Sequence, residues 1–342
     1  MVKCVMSASS EKSYDSTQSA YPSDVTFHDL IARNKRNSVL LVLLMAVLVI
    51  AVAEVIALAI GSYSGMQITP IYILGVAGIG ALVMTAVSSW AYFGGSNTIL
   101  SMSGAREIQH TDDPQLFNIV EELCLAGNMP MPKVYLIDSK AMNAFATGRD
   151  PEHAAVAITT GLRERLNRDE LTGVMAHELA HIRHYDIRLT MLMATMVGLI
   201  VLMCDMFLDS IRFSGGRGSR RSSGDKGGGA VIVLIVIALL LAVIAPLLAK
   251  MIQFAVSRQR EFLADAGAVE LSRNPIGLRD ALLKLGADDT HLDHANRATA
   301  HMFIVNPFQA EKHTMELDSA FATHPPLTKR VIALNALLGA SA

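Results

Sequence analysis

Residues 177–181 read HELAH, an H-E-x-x-H pattern that lies within residues 171–185, a stretch of good helix formers without proline. Positions four residues apart on a helix lie on the same face, so His177 and His181 can both direct an imidazole at one metal ion. Glu178 stands about 100° further round the helix, where its carboxylate can act as the base for a metal-bound water. The pattern is typical of zinc metalloproteases.

The residues that flank this motif predict a buried helix. Asn167 followed by Glu170 matches the capping box that begins many helices. A solvated helix face that carries two histidines and a carboxylate is the plainer alternative. The neighbours of the two histidines are mostly apolar, namely Leu171, Val174, Met175, Leu179, Ala180 and Ile182. Buried histidines need a partner, and we interpret that partner as one zinc ion per chain.

The composition indicates a membrane protein. Of 342 residues, 51% are hydrophobic and only 18% are charged, which is a low charged fraction for a soluble globular protein of this length. The formal net charge of −2 gives no indication of a nucleic-acid partner. The three scattered cysteines, Cys4, Cys124 and Cys204, form neither a disulfide framework nor a zinc ribbon.

Two apolar runs within residues 38–93 predict two transmembrane helices. Residues 39–60 are interrupted only by Glu54, and residues 71–93 carry no charge. Each run is long enough to cross a hydrocarbon core of about 30 Å. Residues 1–37 are polar and rich in serine, and we predict that they form a mostly disordered tail.

Residues 97–188 have the composition of a soluble domain. This domain ends in the predicted helix that carries His177 and His181, which we call the metal helix. The predicted elements are a helix at 113–127, strands at 133–137, 143–147 and 154–159, and a short helix near 162–166. We therefore expect a mainly α-helical domain of the α+β class with a small β-sheet.

Residues 189–249 form two further apolar segments joined by a linker rich in Gly, Ser and Arg at 214–229. The first segment, 189–204, is short for a membrane span and ends at Asp205. From residue 250 to residue 342 the chain is polar and helical again. We assign this last part to the same domain as the metal helix.

A catalytic zinc ion takes three protein ligands and leaves a fourth position for water. The candidate third ligand lies in residues 257–265, SRQREFLAD. Glu261 and Asp265 stand four residues apart, so one can bind the metal while the other accepts a hydrogen bond from a ligating histidine. Ordinary surface ion pairs between Arg258 and these two carboxylates are the alternative.

Taken together, these motifs resemble those of the HtpX-type membrane zinc metalloproteases. The resemblance is carried by HELAH at 177–181, SRQREFLAD at 257–265, NAFATG at 143–148 and THPP at 323–326. Two hydrophobic segments precede the metal helix and two follow it, as in that family. The resemblance covers roughly residues 28–335, and the polar residues that precede it depart from the family's usual pattern.

This resemblance implies a role for each matching residue. His177, His181 and Glu261 would be the zinc ligands and Glu178 the base. Asp265 would then be the carboxylate behind a ligating histidine. The remaining implied residues, Asn143 and His324, would contact the substrate or its oxyanion.

The resemblance also implies the fold class and the function. We expect an α-helical integral membrane protein with a zincin-type metalloprotease domain, acting as an endopeptidase on misfolded or damaged membrane proteins. The expected partners are protein or peptide substrates and the lipid bilayer. A CAAX prenyl-protein endopeptidase uses the same motifs, although such enzymes resemble a larger multi-span chamber. A catalytically inactive membrane scaffold is a further alternative, but it would be expected to lack Glu178 or a ligand.

Charge distribution predicts the topology. Three basic residues precede the first span and the loop at 61–70 carries no charge, which places the N-terminus inside. The catalytic domain then faces the cytoplasm, in a multi-pass protein of the bacterial inner membrane. An even number of crossings must separate His181 from Glu261. Segments three and four therefore both cross or form a hairpin that does not, and the short 189–204 segment and basic linker favour the hairpin.

Overall fold

The computed structural model describes residues 27–214, 228–288, 290, 303–304 and 326–339. Within these ranges the chain consists mainly of helices with one four-stranded sheet. The fold class expected from the sequence is confirmed. Residues 1–26 of the predicted tail, most of the 214–229 linker and His324 lie outside the described residues.

The first two predicted spans are long helices, α1 (Phe27–Tyr63) and α2 (Pro70–Met102). Residues 27–37, which the sequence places in the disordered tail, are instead helical and form the first turns of α1. Their polar composition hides this, because the helix begins well before the apolar run. Thr69 caps α2 by accepting the N–H of Tyr72 through its hydroxyl oxygen.

The sheet has the strand order β1-β2-β4-β3 and lies directly after α2. Its strands are β1 (Ala105–Glu107), β2 (Lys133–Ile137), β3 (Ala144–Gly148) and β4 (Ala154–Thr159). β2 pairs with β4 in parallel, and the other two pairs are antiparallel. Helix α3 (Pro114–Gly127) connects β1 to β2. The sequence predicts every strand except β1, whose three residues are too few to show a pattern.

The metal-binding motif lies on α5 (Arg168–Arg183), which follows the short helix α4 (Thr160–Arg165). The predicted capping box is present. The side chain of Asn167 accepts the N–H of Glu170 at 3.0 Å, and the Glu170 carboxylate accepts the N–H of Asn167 at 2.9 Å. The chain turns at Tyr185, whose φ is +61°, so the metal helix does not continue into the membrane segment.

Two long helices follow, α6 (Asp186–Ser214) and α7 (Gly228–Ser272). The premise that segment three is short is wrong, because its apolar part extends over Asp186–Ile211, 26 residues. Four helices in the described ranges are long and apolar enough to cross a membrane. The expected boundary at residues 249/250 falls inside α7, which runs from the membrane bundle into the catalytic domain without a break.

Helices α1, α6 and α7 share one apolar core, and α2 packs against α1 and α6. At the end far from the sheet, Tyr63 of α1, Ile211 of α6 and Ile235 of α7 line the same cavity, of about 320 Å³. Both α6 and α7 therefore reach as far as the loop that joins α1 to α2. The four helices form one bundle of equal depth.

A second core surrounds α5, which packs against α3, β3, α7 and α8 (Pro275–Ala287). Gly173 of α5 lies so close to α8 that a Cβ there would stand 2.4 Å from the backbone nitrogen of Leu278. The last helix, α9 (Leu327–Gly339), packs on α7 and α8. This packing buries the H-E-x-x-H face of α5 between the sheet and helices α7 and α8.

Candidate metal centre

Three predicted ligands converge on one point between α5 and α7. The Nε2 atoms of His177 and His181 are 3.2 Å apart, and they lie 3.5 Å and 3.7 Å from the two carboxylate oxygens of Glu261. Ligands at about 2.0–2.1 Å from a tetrahedral zinc ion stand about 3.3–3.4 Å from one another. The donor set and its spacing therefore fit a metal ion of this kind.

Each histidine is held through its other ring nitrogen by a carboxylate. His177 Nδ1 lies 3.0 Å from Asp265 Oδ1, and His181 Nδ1 lies 3.0 Å from Asp186 Oδ2. Such contacts fix the tautomer and the orientation of the imidazole, which leaves Nε2 directed at the metal position. Asp265 occupies the place expected from its spacing to Glu261. The contact of Asp186 was not predicted.

Two buried arginines complete this network. Arg330 of α9 donates to both Asp265 oxygens, at 2.8 Å and 2.6 Å, and its Nη1 lies 3.1 Å from Glu261 Oε2. Arg260 of α7 donates to the other oxygen of Asp186. Burial lowers the pKa of Arg330, but the carboxylates of Asp265 and Glu261 more than offset this and raise it, so the guanidinium stays charged.

The charge balance of the site also fits a divalent cation. With the four buried carboxylates (Glu178, Asp186, Glu261 and Asp265) ionised and both imidazoles neutral, as metal binding requires, the two buried guanidinium groups leave two negative charges. Uncompensated buried charges are costly. A doubly charged metal ion held by the two histidines and Glu261 would neutralise them.

Glu178 is buried at 2% exposure and lines the same cavity as the three ligands. Burial raises the pKa of its carboxyl above the ordinary value, although the adjacent His177 and His181 oppose the effect. The cavity measures about 40 Å³, room for an ion with one or two waters, because one water needs about 10–15 Å³. Glu178 thus stands where a base for such a water is required.

The structure places Asn143 beside this cavity rather than in its wall. Asn143 is buried, and its side-chain oxygen accepts the N–H of Ala144 at the start of β3. The residue of β3 that lines the cavity is Ala146. His324 lies outside the described residues, and the substrate contacts of Asn143 and His324 stay predictions.

The sequence did not predict three residues of this network, namely Asp186, Arg260 and Arg330. Asp186 lies five residues after His181, and its contact depends on the turn at Tyr185. Arg330 offers a signal that could have been used. Arg330 falls on the apolar face of α9 with Leu327 and Leu334. A single charged residue on such a face predicts a buried partner of opposite charge.

Fold and site together define a membrane-bound metalloprotease, a hydrolase that acts on peptide bonds. Long apolar helices carry a helical domain with a small sheet and an H-E-x-x-H centre. The sequence model of peptidase family M48 matches residues 110–338, and the chain belongs to this family.

Relatives of this chain carry the name expected from the motifs. The protease HtpX homologue of Lactiplantibacillus plantarum is 44% identical over 306 residues, 89% of this chain and 97% of that protein. The homologue of Ligilactobacillus salivarius is 42% identical over 302 residues, 88% of this chain and 96% of that protein. The resemblance to HtpX-type proteases is confirmed. Among solved structures, Ste24p of S. mikatae matches at a TM-score of 0.49 and 22% identity, covering 77% of this chain and 58% of that chain.

Proposed function

We propose that this membrane metalloprotease is a zinc-dependent endopeptidase whose active site faces the cytoplasm of a bacterial cell. Its substrates are misfolded or damaged membrane proteins. The observation that carries the proposal is the convergence of His177, His181 and Glu261, with Glu178 beside them and a carboxylate behind each histidine. One zinc ion per chain is held by these three ligands.

Each residue has a chemical task in this proposal. Zinc, when bound, supplies a Lewis acid that polarises the peptide carbonyl and acidifies water. The Glu178 carboxylate accepts the proton of the attacking water and then donates it to the leaving amine. Asp186 and Asp265 hold the two imidazoles in orientation.

The substrate chain is proposed to add to β3, which is an edge strand of the sheet among the described residues. The Asn143 carbonyl accepts from Thr159 N–H in β4 at 3.0 Å, and in an antiparallel pair alternate residues face the partner strand. The backbone groups of Ala144 and Ala146 therefore face away from β4. Ala144 already accepts from the N–H of Ile304 at 3.0 Å on that side. An extended peptide can make the same kind of contact along the edge, at the cavity that Ala146 lines.

Two features support membrane proteins as substrates. Asp186, which contacts His181, is the first residue of the apolar helix α6. Glu261 lies on α7, seven residues beyond Phe254, where the apolar section of that helix ends. The catalytic centre therefore stands within about two helical turns of the membrane surface.

The test of the proposed function is the variant Glu178→Gln. The amide keeps the shape of the side chain but cannot accept the proton. We expect unchanged zinc content and a fall in casein cleavage of about 10²–10⁴-fold, the usual contribution of a general base. Zinc is measured by atomic emission on the purified protein. Cleavage by the variant at the wild-type rate would show that another residue is the base.

Specificity is tested on the wild-type enzyme with and without a chelator. An unfolded membrane protein should be cleaved, and a farnesylated CAAX peptide should not. Preferential cleavage of the CAAX peptide would instead assign the chain to prenyl-protein processing. The metal dependence is shared by both activities, so the two substrates alone distinguish them.

A further inference from the structure

A cavity of about 750 Å³ lies where the membrane bundle meets the catalytic domain. Sites of about 300–1,000 Å³ are the size that holds drug-sized ligands. One wall is apolar and is formed by Val39, Val42 and Leu43 of α1 with Leu189 and Leu192 of α6. Val39 begins the apolar section of α1, so the cavity lies at the membrane–water boundary.

The remaining lining is polar and cationic. It includes Tyr92 of α2, Tyr185 in the turn before α6, and the arginines Arg188 and Arg260. Tyrosine is enriched at membrane interfaces, where its ring is apolar and its hydroxyl can reach water. The cavity thus has an apolar side and a cationic side, which matches a ligand with one apolar part and one anionic part.

The two arginines differ in their partners. Arg260 donates to Asp186. Arg188 is exposed, with its guanidinium 5.3 Å from the centroid of the Tyr185 ring. In the part of the chain that the structure describes, no acidic side chain forms an ion pair with Arg188. No carboxylate among the described residues therefore competes with an external anion for its charge.

We propose that this cavity binds an anionic phospholipid, with the phosphate on Arg188 and an acyl chain against the apolar wall. Val39 and Leu43 are 61% and 60% exposed, so the apolar wall is open towards the bilayer. Basic pockets between transmembrane helices on the cytoplasmic side are a recurrent site for anionic headgroups. A free phosphate would use only the cationic residues, and a zwitterionic lipid would bring a quaternary ammonium group together with its phosphate, so its net charge would not offset that of Arg188.

The lipid site borders the metal centre. Arg260 lines both the 750 Å³ cavity and the small cavity of the metal centre, and it holds Asp186, which contacts His181. A bound phospholipid would therefore touch the side chain that supports one of the metal ligands. The proposal does not depend on the proteolytic function, because lipid binding is measured directly.

The first experiment measures binding by native mass spectrometry on the full chain, titrated with phosphatidylglycerol or phosphatidylcholine. We expect one phosphatidylglycerol to be retained, while phosphatidylcholine binds more weakly. Arg188→Gln should weaken phosphatidylglycerol by about five-fold, the effect of one basic residue near an anionic headgroup. The matched control is Arg36→Gln, since Arg36 is an exposed arginine of α1 that does not line the cavity. Inorganic phosphate should not displace the lipid.

A second pair of variants tests the apolar wall. Leu43→Trp should fill the groove and reduce retention of the lipid, whereas Leu40→Trp should not, because Leu40 is equally exposed at 65% but lies outside the cavity. Thermal unfolding confirms that both variants fold. Three results would each overturn the proposal. They are equal binding of the two lipids, equal losses in Arg188→Gln and Arg36→Gln, or full retention in Leu43→Trp.

Discussion

Asp186 and Asp265 form a matched pair at the candidate metal centre, because each contacts the far nitrogen of one predicted ligand histidine at 3.0 Å. Replacing either by asparagine keeps the size but removes the negative charge. We expect zinc affinity to fall by roughly 10–100-fold in each variant. Glu261→Ala should reduce it further, because a ligand is lost. Competition with a fluorescent zinc chelator measures all three variants.

An unchanged zinc affinity in Asp186→Asn would show that Asp186 holds Arg260 in place but does not support His181 as a ligand. If Asp265→Ala released the metal while Glu261→Ala retained it, the roles of the two α7 carboxylates would be reversed. Both residues lie on one helix, one turn apart. Each of the two variants is therefore the control for the other, because both change a carboxylate at nearly the same place on α7.

Arg330 links the last helix to the metal centre, and its side chain is completely buried. Arg330→Met keeps the apolar stem but leaves Asp265 and Glu261 without their guanidinium partner. Loss of one partner of a buried ion pair costs about 3–5 kcal/mol, so we expect a large fall in the unfolding temperature. The control is the double variant Arg330→Met/Asp265→Leu, which removes both charges and should recover part of the loss. No recovery would indicate that the arginine acts through packing alone.

At the scale of single residues, the sequence predicts what lies on one helix and misses what crosses between elements. His177 with His181, and Glu261 with Asp265, follow from four-residue spacing. The contact of Arg330 with Asp265 spans 65 residues along the chain. Spacing carries no information on such a pair, since only the packing of α9 against α7 brings them together.

At the scale of elements, the proposed substrate contact lies on β3, an edge strand in the described part of the sheet. Ala146→Pro removes one N–H from that edge, and proline is tolerated on edge strands. We expect the fold and zinc content to be retained and kcat/KM for peptides to fall roughly three- to ten-fold, the worth of about one hydrogen bond. Ala146→Gly keeps the N–H and should have the smaller effect. Equal losses in the two variants would exclude a backbone contact at this residue.

The helices show why apolar runs give element positions but not element lengths. Strands β2 and β4 have the bounds that the sequence predicts, because both are short apolar runs with clear ends. α6 continues through Asp205, and α7 continues through Pro246. A proline inside a transmembrane helix is tolerated because neighbouring helices and local adjustments satisfy the freed backbone groups. A polar residue or a proline is therefore a weak sign of where a membrane helix ends.

For the whole molecule, the equal depth of the four helices bears on the topology. The sequence favours a hairpin for segments three and four, partly because residues 189–204 are short for a span. In the structure these residues belong to α6, whose apolar section has 26 residues. α6 and α7 line a cavity with Tyr63 and Ser64, at the end of α1. If α1 and α2 cross the membrane, α6 and α7 therefore cross it as well.

We accordingly predict that the basic linker between α6 and α7 lies outside the cell. The positive-inside rule opposes this, but the first helices usually dominate the orientation. Single cysteines at Ser222, Ser64 and Glu121, in a background without native cysteines, are treated with a membrane-impermeant thiol reagent on intact cells. Ser64 is exposed after α1, and Glu121 is exposed on α3 of the catalytic domain.

The cysteines at Ser222 and Ser64 should label in intact cells, and the cysteine at Glu121 should label only after the membrane is opened. Labelling of the cysteine at Ser222 only after the membrane is opened would support the hairpin. The bilayer would then have to be thinner beside α6 and α7 to account for the depth of these two helices. Labelling of the cysteine at Glu121 in intact cells would show that the molecule has the opposite orientation in the membrane, so that the active site would not face the cytoplasm. The metal centre is compatible with each result, because an even number of crossings separates His181 from Glu261 in all of them.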